Sequence, residues 1–481
     1  MAKTIHIAAI SIPAFSHQAS IIEFTKKLIH HHNHFHITII FPTIDSPLQT
    51  TLTLLKSLPQ NITYTFLPPI PKISLPQNLS PAVQIQLAVS QSMPSFQTTI
   101  SSLCSSSSSS TTTPPLVALI SDPFANESLE VAKKFNLLSY IYFPPSTMTL
   151  SLFIHFPKLH EEISCEFRDH NEAIQIPGCV PIHGIDLPEH FQDRTSLAYD
   201  LILQRCKRFN LADGFLVNSF MKMEEKTLKS LEEEHKCSVF LVGPIIQNGS
   251  NNESKGSDNS DLDLECLRWL EKQPQNSVLY VSFGSGGTLS QEQVNELAYG
   301  LELSGKKFLW ILRAPSDSSN EAYLGAKNDD DPLNFLPKGF IERTRKQGLV
   351  VPNWAPQTQI LSHSSIGGFL THCGWNSVIE SIMLGVPMIA WPLFAEQKMN
   401  AVLLCDSVKV AMRLKFNDDG LVEKDEIAKV VKGLMDDDGN GIRGRIEELR
   451  DDAIDALKED GSSTRAICQF GNTLERFVNN M

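Results

Sequence analysis

The sequence predicts two α/β domains, each built on a parallel β-sheet. A chain of 481 residues exceeds the usual size of one domain and suits two of roughly 200 residues each. Apolar runs of strand length alternate with helix-like segments, which is typical of parallel sheets covered by helices. A polar segment rich in Gly, Ser and Asn, residues 247–261, interrupts this alternation once. We therefore expect domains at residues 1–246 and 262–459, joined by a linker at 247–261.

The first domain opens with a strand, a helix and a second strand. Residues 5–12 form a nearly continuous apolar run, as expected for a parallel strand buried on both faces. Such units form right-handed crossovers and bind ligands beyond the carboxyl ends of their strands. His17 is expected there, in a loop of residues 13–17, and Asp122 follows another predicted strand, residues 116–121. The two polar residues are therefore expected in one crevice.

Other segments predict the remaining elements. The low-complexity segment SSSSSSTTTPP, residues 105–115, predicts a flexible surface loop. Ser290 and Gln293 have the spacing of a capping box at a helix start. Further strands are predicted at 139–143, 214–218, 239–242, 278–283 and 307–312, and further helices at 424–435, 442–457 and from 462 onward.

A group of five histidines raises the question of a metal site: His30, His31, His32, His34 and His36. Consecutive histidines at a helix end point in different directions. No carboxylate or cysteine joins them at ligand spacing in the sequence. The sequence therefore favours a solvated helix end and predicts no metal site.

Composition limits the partners and the compartment. A net charge of −13 argues against nucleic acid or an anionic membrane as the main partner. The nine cysteines are scattered without a C-x-x-C pair, which fits a reducing compartment. We see no leader peptide and no uninterrupted apolar stretch that could span a membrane. The expectation is a cytoplasmic protein, monomeric and without stable membrane insertion.

The most informative stretch is residues 354–397, WAPQTQILSHSSIGGFLTHCGWNSVIESIMLGVPMIAWPLFAEQ. Within it an apolar strand ends, a tight turn follows, and a helix-compatible segment begins. Free N–H groups and the positive dipole end at such a helix start bind anions. His372, Asn376 and Ser377 add donors at the same place, so a phosphate or diphosphate is the expected ligand.

A second glycine-rich turn, residues 284–287, follows a predicted strand. It is not G-x-G-x-x-G, and the chain has no G-K-[ST] sequence, so NAD binding and a P-loop are poorly supported. It also lacks the first glycine of a G-x-S-x-G nucleophile elbow. A plain tight turn remains a possible interpretation. Cys373 next to His372 is disfavoured as a nucleophile, because adjacent residues on a tight turn rarely point together.

Residues 354–397 closely resemble the signature box of plant secondary-product glycosyltransferases, which use UDP-sugars. The W-A-P-Q, H-C-G-W-N-S, E and E-Q positions all match. Similarity extends through VLYVSFGSGGTL, FPKLHEEISCEFRD and IPGCVP, which look most like the hydroquinone and monolignol glucosyltransferase branch. The resemblance implies the GT-B fold, with two doubly wound Rossmann-like domains facing a cleft. It also implies that a final helix, residues 460–481, packs back on the first domain.

The resemblance assigns roles to the residues of the box. Trp354 is expected to stack on uracil, and Glu380 to accept hydrogen bonds from the ribose hydroxyls. A terminal glutamine such as Gln397 usually accompanies glucose. No D-x-D sequence lies between a strand and a loop, so UDP-glucose is expected as co-substrate without a metal. The expected UDP-binding residues are Ser285, Trp354, Ala355, Gln357, His372, Asn376, Ser377 and Glu380, and the expected sugar-binding residues are Trp375, Glu396 and Gln397.

The resemblance also assigns the catalytic pair. His17 is expected to remove the proton of an acceptor hydroxyl, since a histidine with a pKa near 6.5 suits this task. Asp122 would fix its tautomer and stabilise the imidazolium. The chain departs from the family pattern P-x-x-G-H-x-x-P, with Ser16 for the glycine and Ser20 for the second proline. Because glycine permits positive φ, this departure bears on the acceptor range.

These expectations combine into an inverting glucosyltransferase that acts on a small phenolic hydroxyl and yields a β-O-glucoside. Phe15, Phe124 and Phe143 are expected to line a flat aromatic pocket for a phenylpropanoid, flavonoid or simple phenol. Two alternatives remain. One is the same fold with another UDP-sugar, and the other is a UDP-binding protein without turnover.

Overall fold

The chain divides into two compact units. The first comprises Met1–Ile185, His190–Gln247 and Ile454–Met481, and the second Asp186–Glu189 and Asn248–Ala453. Residues 247–259 of the predicted linker lie outside the part of the chain that the structure describes. A computed structural model describes residues 4–76, 78–109, 114–235, 238–246, 260–317, 319, 331–436 and 441–480.

The first unit is built on a seven-stranded sheet in which every neighbouring pair is parallel. The strands are β1 (Ile5–Ile10), β2 (Phe35–Phe41), β3 (Ile62–Phe66), β4 (Leu116–Ser121), β5 (Leu138–Phe143), β6 (Gly214–Val217) and β7 (Ser238–Leu241). Their order is β3-β2-β1-β4-β5-β6-β7. All side chains of β1 and β4 are buried, which explains the nearly continuous apolar runs in the sequence.

Helices cover this sheet, and two of them differ from the sequence prediction. The first begins at Phe15, so His17 lies in its first turn and the prediction of a loop at 13–17 was wrong there. The third extends through Ser109, and within it the Ser105 hydroxyl donates to the Ser101 carbonyl, four residues earlier. Residues 110–113 of the predicted loop lie outside the described part. The helices are α1 (Phe15–His31), α2 (Gln49–Leu55), α3 (Pro81–Ser109), α4 (Ser128–Lys134), α5 (Thr147–Glu162), α6 (Leu197–Arg208) and α7 (Met221–His235).

The second unit repeats this architecture with a six-stranded parallel sheet. Its strands are β8 (Val278–Ser282), β9 (Lys307–Leu312), β10 (Gly348–Pro352), β11 (Ile366–Thr371), β12 (Met388–Ala390) and β13 (Ala411–Arg413), in the order β10-β9-β8-β11-β12-β13. The helices are α8 (Ser260–Leu270), α9 (Gln291–Ser304), α10 (Phe340–Thr344), α11 (Gln357–Leu361), α12 (Trp375–Met383), α13 (Gln397–Val402), α14 (Lys424–Asp436) and α15 (Ile442–Ala456). Ser290 caps α9 by accepting from the Gln293 N–H, as predicted. The predicted α/β class with two doubly wound sheets is confirmed.

The last helix, α16 (Ser462–Asn479), packs on the sheet of the first unit. Its Phe470 ring lies 4.8 Å from the ring of Tyr140 and 5.8 Å from that of Phe240, centroid to centroid. Ile467 and Leu474, on the same face, are buried in the same core. Within the described residues, no helix has the length and apolarity needed to cross a membrane.

Candidate active site

Each sheet has one point at which the strand order reverses, and polar residues follow the strands on both sides of it. In the first unit this point lies between β1 and β4, and in the second between β8 and β11. A crevice forms at such a point, outside the carboxyl ends of the strands. His17 and Asp122 follow β1 and β4, while Gly284 and His372 follow β8 and β11. The two topologies therefore mark two candidate binding regions, one in each unit.

His17 and Asp122 form a hydrogen-bonded pair. His17 Nδ1 lies 2.7 Å from Asp122 Oδ2, and the side chains are 16% and 1% exposed. The other carboxylate oxygen, Oδ1, accepts the Phe124 N–H at 2.9 Å and caps the turn Pro123–Ala125. Because an ionised carboxylate only accepts, Nδ1 carries the proton of a neutral ring. Nε2 is then the basic nitrogen of His17.

Phe124 connects this pair to a buried cation that the sequence did not indicate. The Phe124 ring meets the His17 ring edge to face, with centroids 5.6 Å apart. The guanidinium carbon of Arg205 lies 3.8 Å from the centre of the Phe124 ring, and Arg205 donates to Gln86 Oε1 at 2.7 Å. Burial lowers the pKa of Arg205 to about 10. Arg205, a residue of α6, therefore holds the Phe124 ring in place.

The two positions that depart from the family pattern lie in α1. Ser16 occupies its first turn and is absent from the described residues with positive φ, so its backbone does not need glycine. Ser20 is buried, and its hydroxyl lies 2.7 Å from the hydroxyl of Tyr142 on β5. The helix therefore accommodates both serines without the strained backbone that the sequence raised as a question.

In the second unit, the imidazole of His372 is enclosed by two glycines. A Cβ on Gly284 would lie 2.5 Å from Cε1 of His372, and a Cβ on Gly374 would lie 2.4 Å from Nε2. Burial, together with the positive charge of Arg313, lowers the pKa of His372 to about 4. The ring is therefore neutral at pH 7, and its Nδ1 is buried without a hydrogen-bond partner among the described residues.

The turn after His372 leads into the start of α12. Cys373 adopts a positive φ of 62°, and Gly374 is an N-cap without a side-chain hydrogen bond. The N-cap residue, Gly374, therefore occupies none of the first-turn N–H groups, which include those of Asn376 and Ser377. An anion site requires such uncapped N–H groups. Burial raises the pKa of the Cys373 thiol, which disfavours the thiolate that a nucleophile would need.

A second group of predicted residues meets on the side of α12. Gln357 Nε2 donates to Ser377 Oγ at 2.9 Å and to Glu380 Oε2 at 2.8 Å. Glu380 is buried, and this burial raises the pKa of its carboxyl. Trp354, just beyond β10, is 50% exposed, whereas the neighbouring Ala355 is 6% exposed. An indole left half in solvent is available for stacking on a ligand.

The predicted sugar-binding residues follow β12 or begin α12. Trp375 is buried at the start of α12, and Glu396 is the N-cap of α13. Gln397 is also buried, and its Oε1 accepts two loop N–H groups, at 2.9 and 3.0 Å. The amide N–H2 of Gln397 is therefore the end available to a ligand. Asn400, which the sequence analysis missed, donates to the Cys373 carbonyl at 2.9 Å and joins this loop to the His372 turn.

Arg313 is another residue that the sequence analysis missed. It follows β9 directly, and its guanidinium donates to the carbonyl of Ser285, an exposed residue of the turn after β8. Burial lowers the pKa of Arg313. The sequence could have indicated Arg313, because it directly follows the apolar run KFLWIL of β9, just as His372 directly follows β11. Arg313 adds positive charge beside the predicted diphosphate site.

Comparisons with known proteins agree over nearly the whole chain. A family model described as UDP-glucoronosyl and UDP-glucosyl transferase matches residues 251–440. UDP-glycosyltransferase 72B1 of Arabidopsis thaliana is 45% identical over 468 residues, 97% of this chain and 95% of that protein. Hydroquinone glucosyltransferase of Rauvolfia serpentina is 45% identical over 475 residues, 98% of each chain.

The solved structures include a similar enzyme with bound ligands. The structure of Phytolacca americana UGT2 complexed with UDP-2fluoro-glucose and pterostilbene has a TM-score of 0.86 and 42% sequence identity, covering 98% of this chain and 99% of that one. Identity at this level over full length fixes both the fold and the family. The chain therefore belongs to the plant family 1 UDP-glycosyltransferases, enzymes of the GT-B fold, close to their hydroquinone glucosyltransferase branch.

Proposed function

We propose that this enzyme transfers glucose from UDP-glucose to a hydroxyl of a small phenolic acceptor and releases a β-O-glucoside. The single observation that carries the proposal is the 2.7 Å contact between His17 Nδ1 and Asp122 Oδ2. A base held in this way is what a weakly nucleophilic hydroxyl requires. The relatives support the substrate class, since one is named for hydroquinone and another binds UDP-2fluoro-glucose and pterostilbene.

The proposed reaction is a single displacement at the anomeric carbon. Nε2 of His17 takes the proton of the acceptor hydroxyl while its oxygen attacks C1 of glucose. The bond from C1 to UDP breaks on the opposite face, so the configuration inverts from α to β. Asp122 keeps the proton on Nδ1 and stabilises the imidazolium that forms. General-base assistance of this kind contributes about 10²–10⁴-fold to the rate.

Departing UDP gains negative charge, and we assign its stabilisation to the start of α12. His372, Asn376 and Ser377 would donate to the diphosphate from one strand end, and the Ser285 turn from the neighbouring one. Arg313 supplies positive charge next to that turn. Donors arranged before the reaction stabilise charge as it develops. We therefore propose that the reaction proceeds without a divalent metal.

The remaining predicted residues would select the nucleotide and the sugar. Trp354 would stack on uracil, with Ala355 beside it, and Gln357 and Glu380 would hold the ribose hydroxyls. The carboxylate of Glu380 suits a vicinal diol because it accepts from both hydroxyls. Trp375, Glu396 and the amide N–H2 of Gln397 would contact glucose.

An aromatic acceptor fits the side chains around His17. Phe124 is half-buried with its ring against that of His17, and Phe15 is half-buried two positions before His17 in α1, whereas Phe143 packs in the core against Phe153, with centroids 5.7 Å apart. We assign the acceptor contacts to Phe15 and Phe124. A cytoplasmic monomer remains our proposal for the compartment and the assembly.

The test is UDP release without added metal, measured over a panel of phenols with UDP-glucose, UDP-galactose and UDP-xylose. Wild type is compared with His17→Ala and with His183→Ala, an exposed histidine of the same unit. We expect turnover with UDP-glucose that is lost only in His17→Ala, while all three proteins still bind UDP. The NMR coupling of the anomeric proton reports the configuration of the product.

Other outcomes identify the alternatives. Preference for another sugar donor would establish the same fold with a different specificity. UDP binding without turnover for any phenol or donor would establish a binding protein. Equal activity of wild type and His17→Ala would refute the assignment of the base.

A further inference from the structure

Three side chains that could ligate a metal meet between the end of α1, the start of β2 and the last helix. His34 Nε2 lies 2.9 Å from Glu475 Oε1, and His32 Nδ1 lies 3.7 Å from the same oxygen. One ligand atom from each of His32, His34 and Glu475 lies within 4.8 Å of the other two. The cluster belongs wholly to the first unit, and it lies apart from the residues assigned to the reaction.

The sequence alone predicts no metal in this histidine segment, because no carboxylate or cysteine stands at ligand spacing. Folding supplies that carboxylate from α16, since Glu475 is 441 positions from His34 in the chain. The cluster draws on only two of the five histidines. His30 and His31 are exposed, whereas the His36 ring contacts His6 at a centroid distance of 5.1 Å.

The two distances from Glu475 Oε1 to the histidine nitrogens are close to those around a tetrahedral ion. Zinc binds imidazole nitrogen and carboxylate oxygen at about 2.0–2.2 Å, so that neighbouring ligand atoms lie roughly 3.3 Å apart. The contacts of 2.9 and 3.7 Å lie on either side of that value. His34 and Glu475 are 24% and 34% exposed, so that water can reach a fourth position.

His32 is held in place before any ion binds. Its ring stacks on Phe35, with centroids 4.7 Å apart and planes 13° from parallel. On its other side it lies against α16, where a Cβ on Gly471 would come within 2.2 Å of Nε2. These contacts hold the imidazole of His32 in one orientation. An imidazole fixed in this way does not have to be ordered when an ion binds.

We propose that His32, His34 and Glu475 form a binding site for one divalent transition metal ion of the zinc type. Two nitrogens and one carboxylate oxygen are the ligands that zinc accepts, with water completing the set. The ion would join α16 to the connection between α1 and β2. Its role is structural, because none of its ligands takes part in the proposed transfer of glucose.

The test uses full-length, untagged protein stripped with a chelator, reduced with a phosphine and titrated with ZnCl₂ against a chromophoric competitor. We expect one Zn²⁺ per chain to be held by this site, and the thermal unfolding midpoint to rise by about 3–5 °C at a hundredfold excess over Kd. Co²⁺ should give the visible spectrum of a tetrahedral site without the thiolate charge-transfer band that cysteine ligation would produce.

Two ligand variants and one matched control decide the assignment. His34→Gln and Glu475→Gln alter half-exposed side chains, and each should weaken Zn²⁺ binding by more than about tenfold. His30→Gln changes an exposed histidine of the same segment and should bind Zn²⁺ as wild type does. Circular dichroism establishes that the metal-free variants are folded.

Three results would overturn the proposal. The first is the absence of stoichiometric Zn²⁺ binding by the wild type. The second is equal affinity in wild type and both ligand variants, and the third is a loss of binding in His30→Gln alone. In the first case the contact between His34 and Glu475 is a hydrogen bond and nothing more. None of these measurements depends on transferase activity.

Discussion

Replacing Asp122 with asparagine keeps the size of the side chain and exchanges one acceptor oxygen for an N–H2 donor. The native carboxylate accepts on both sides, from His17 Nδ1 at 2.7 Å and from the Phe124 N–H at 2.9 Å. An asparagine satisfies only one of these donors. If its oxygen keeps the Phe124 bond, its N–H2 faces Nδ1 of His17. Nδ1 must then accept, and the ring proton moves to Nε2.

The opposite orientation of the amide is the less stable one. It points the N–H2 at the Phe124 N–H and loses the cap of that turn, which costs about 1 kcal/mol or more. In the favoured orientation Nε2 carries a proton and cannot remove one from the acceptor. No negative charge remains to stabilise an imidazolium. We therefore expect kcat to fall about 10²–10⁴-fold, equivalent to roughly 3–5 kcal/mol of activation free energy.

The assay is the initial rate of UDP release at saturating UDP-glucose, with hydroquinone as the acceptor. The dissociation constant of UDP, measured by calorimetry, should not change. Asp213→Asn is the matched control, because this carboxylate accepts the Ser139 N–H at 2.7 Å and the Ser139 hydroxyl at 3.1 Å, both at the start of β5. A folded Asp122→Asn enzyme that keeps more than a third of the wild-type kcat would refute this reasoning.

Three further changes test other parts of the site and the fold. Gly284→Ala places a Cβ 2.5 Å from Cε1 of His372, so calorimetry should show UDP affinity reduced at least about tenfold. Gly305→Ala is the control, since nothing lies within 4 Å of the added Cβ, and it should leave UDP affinity unchanged. Equal losses of UDP affinity in the two variants would contradict the steric argument. Trp354→Ala should weaken UDP binding about 10–100-fold, as loss of base stacking does. The thermal unfolding midpoint should not change, because the side chain is 50% exposed. A lower midpoint with normal UDP affinity would instead assign Trp354 to the core. Burial and the nearby His36 lower the pKa of His6 to about 4, so the unfolded state binds its proton first and stability is lost as pH falls from about 6.5 to about 4, by about 3 kcal/mol. Denaturant unfolding of His6→Gln should show that much less acid sensitivity than wild type, and an identical pH profile would show that this histidine does not contribute.

The sequence predicted the sheets well where a strand is buried on both faces. Residues 116–121 and 307–312 were predicted with the bounds that the structure has, because parallel strands covered by helices give unbroken apolar runs. Helix starts were predicted less well. His17 was expected in a loop because Ala14, the N-cap of α1, has no capping side chain that would mark a helix start in the sequence. In the structure Ala14 has the extended backbone of an N-cap.

The candidate site was predictable where its residues share one stretch of chain. His372, Asn376 and Ser377 follow a strand and open a helix, so their proximity is local and a motif records it. Asn400 and Arg205 were missed because each reaches the site through a side-chain contact with a distant segment. Spacing in the sequence carries no trace of such contacts. For the same reason, the sequence did not show that Glu475 lies beside His32 and His34.

The position of α16 has a consequence for how this protein is made. Phe470, Ile467 and Leu474 complete the core of the first unit, although the ribosome adds them only after the whole of the second unit. The second unit is nearly continuous at Asn248–Ala453 and can close its core earlier. Residues 248–453 separate the two parts of the first unit, and at about 5–20 residues per second their synthesis takes about 10–40 s. During that interval the apolar face of the sheet is not yet covered by its last helix, so we expect the nascent chain to engage chaperones.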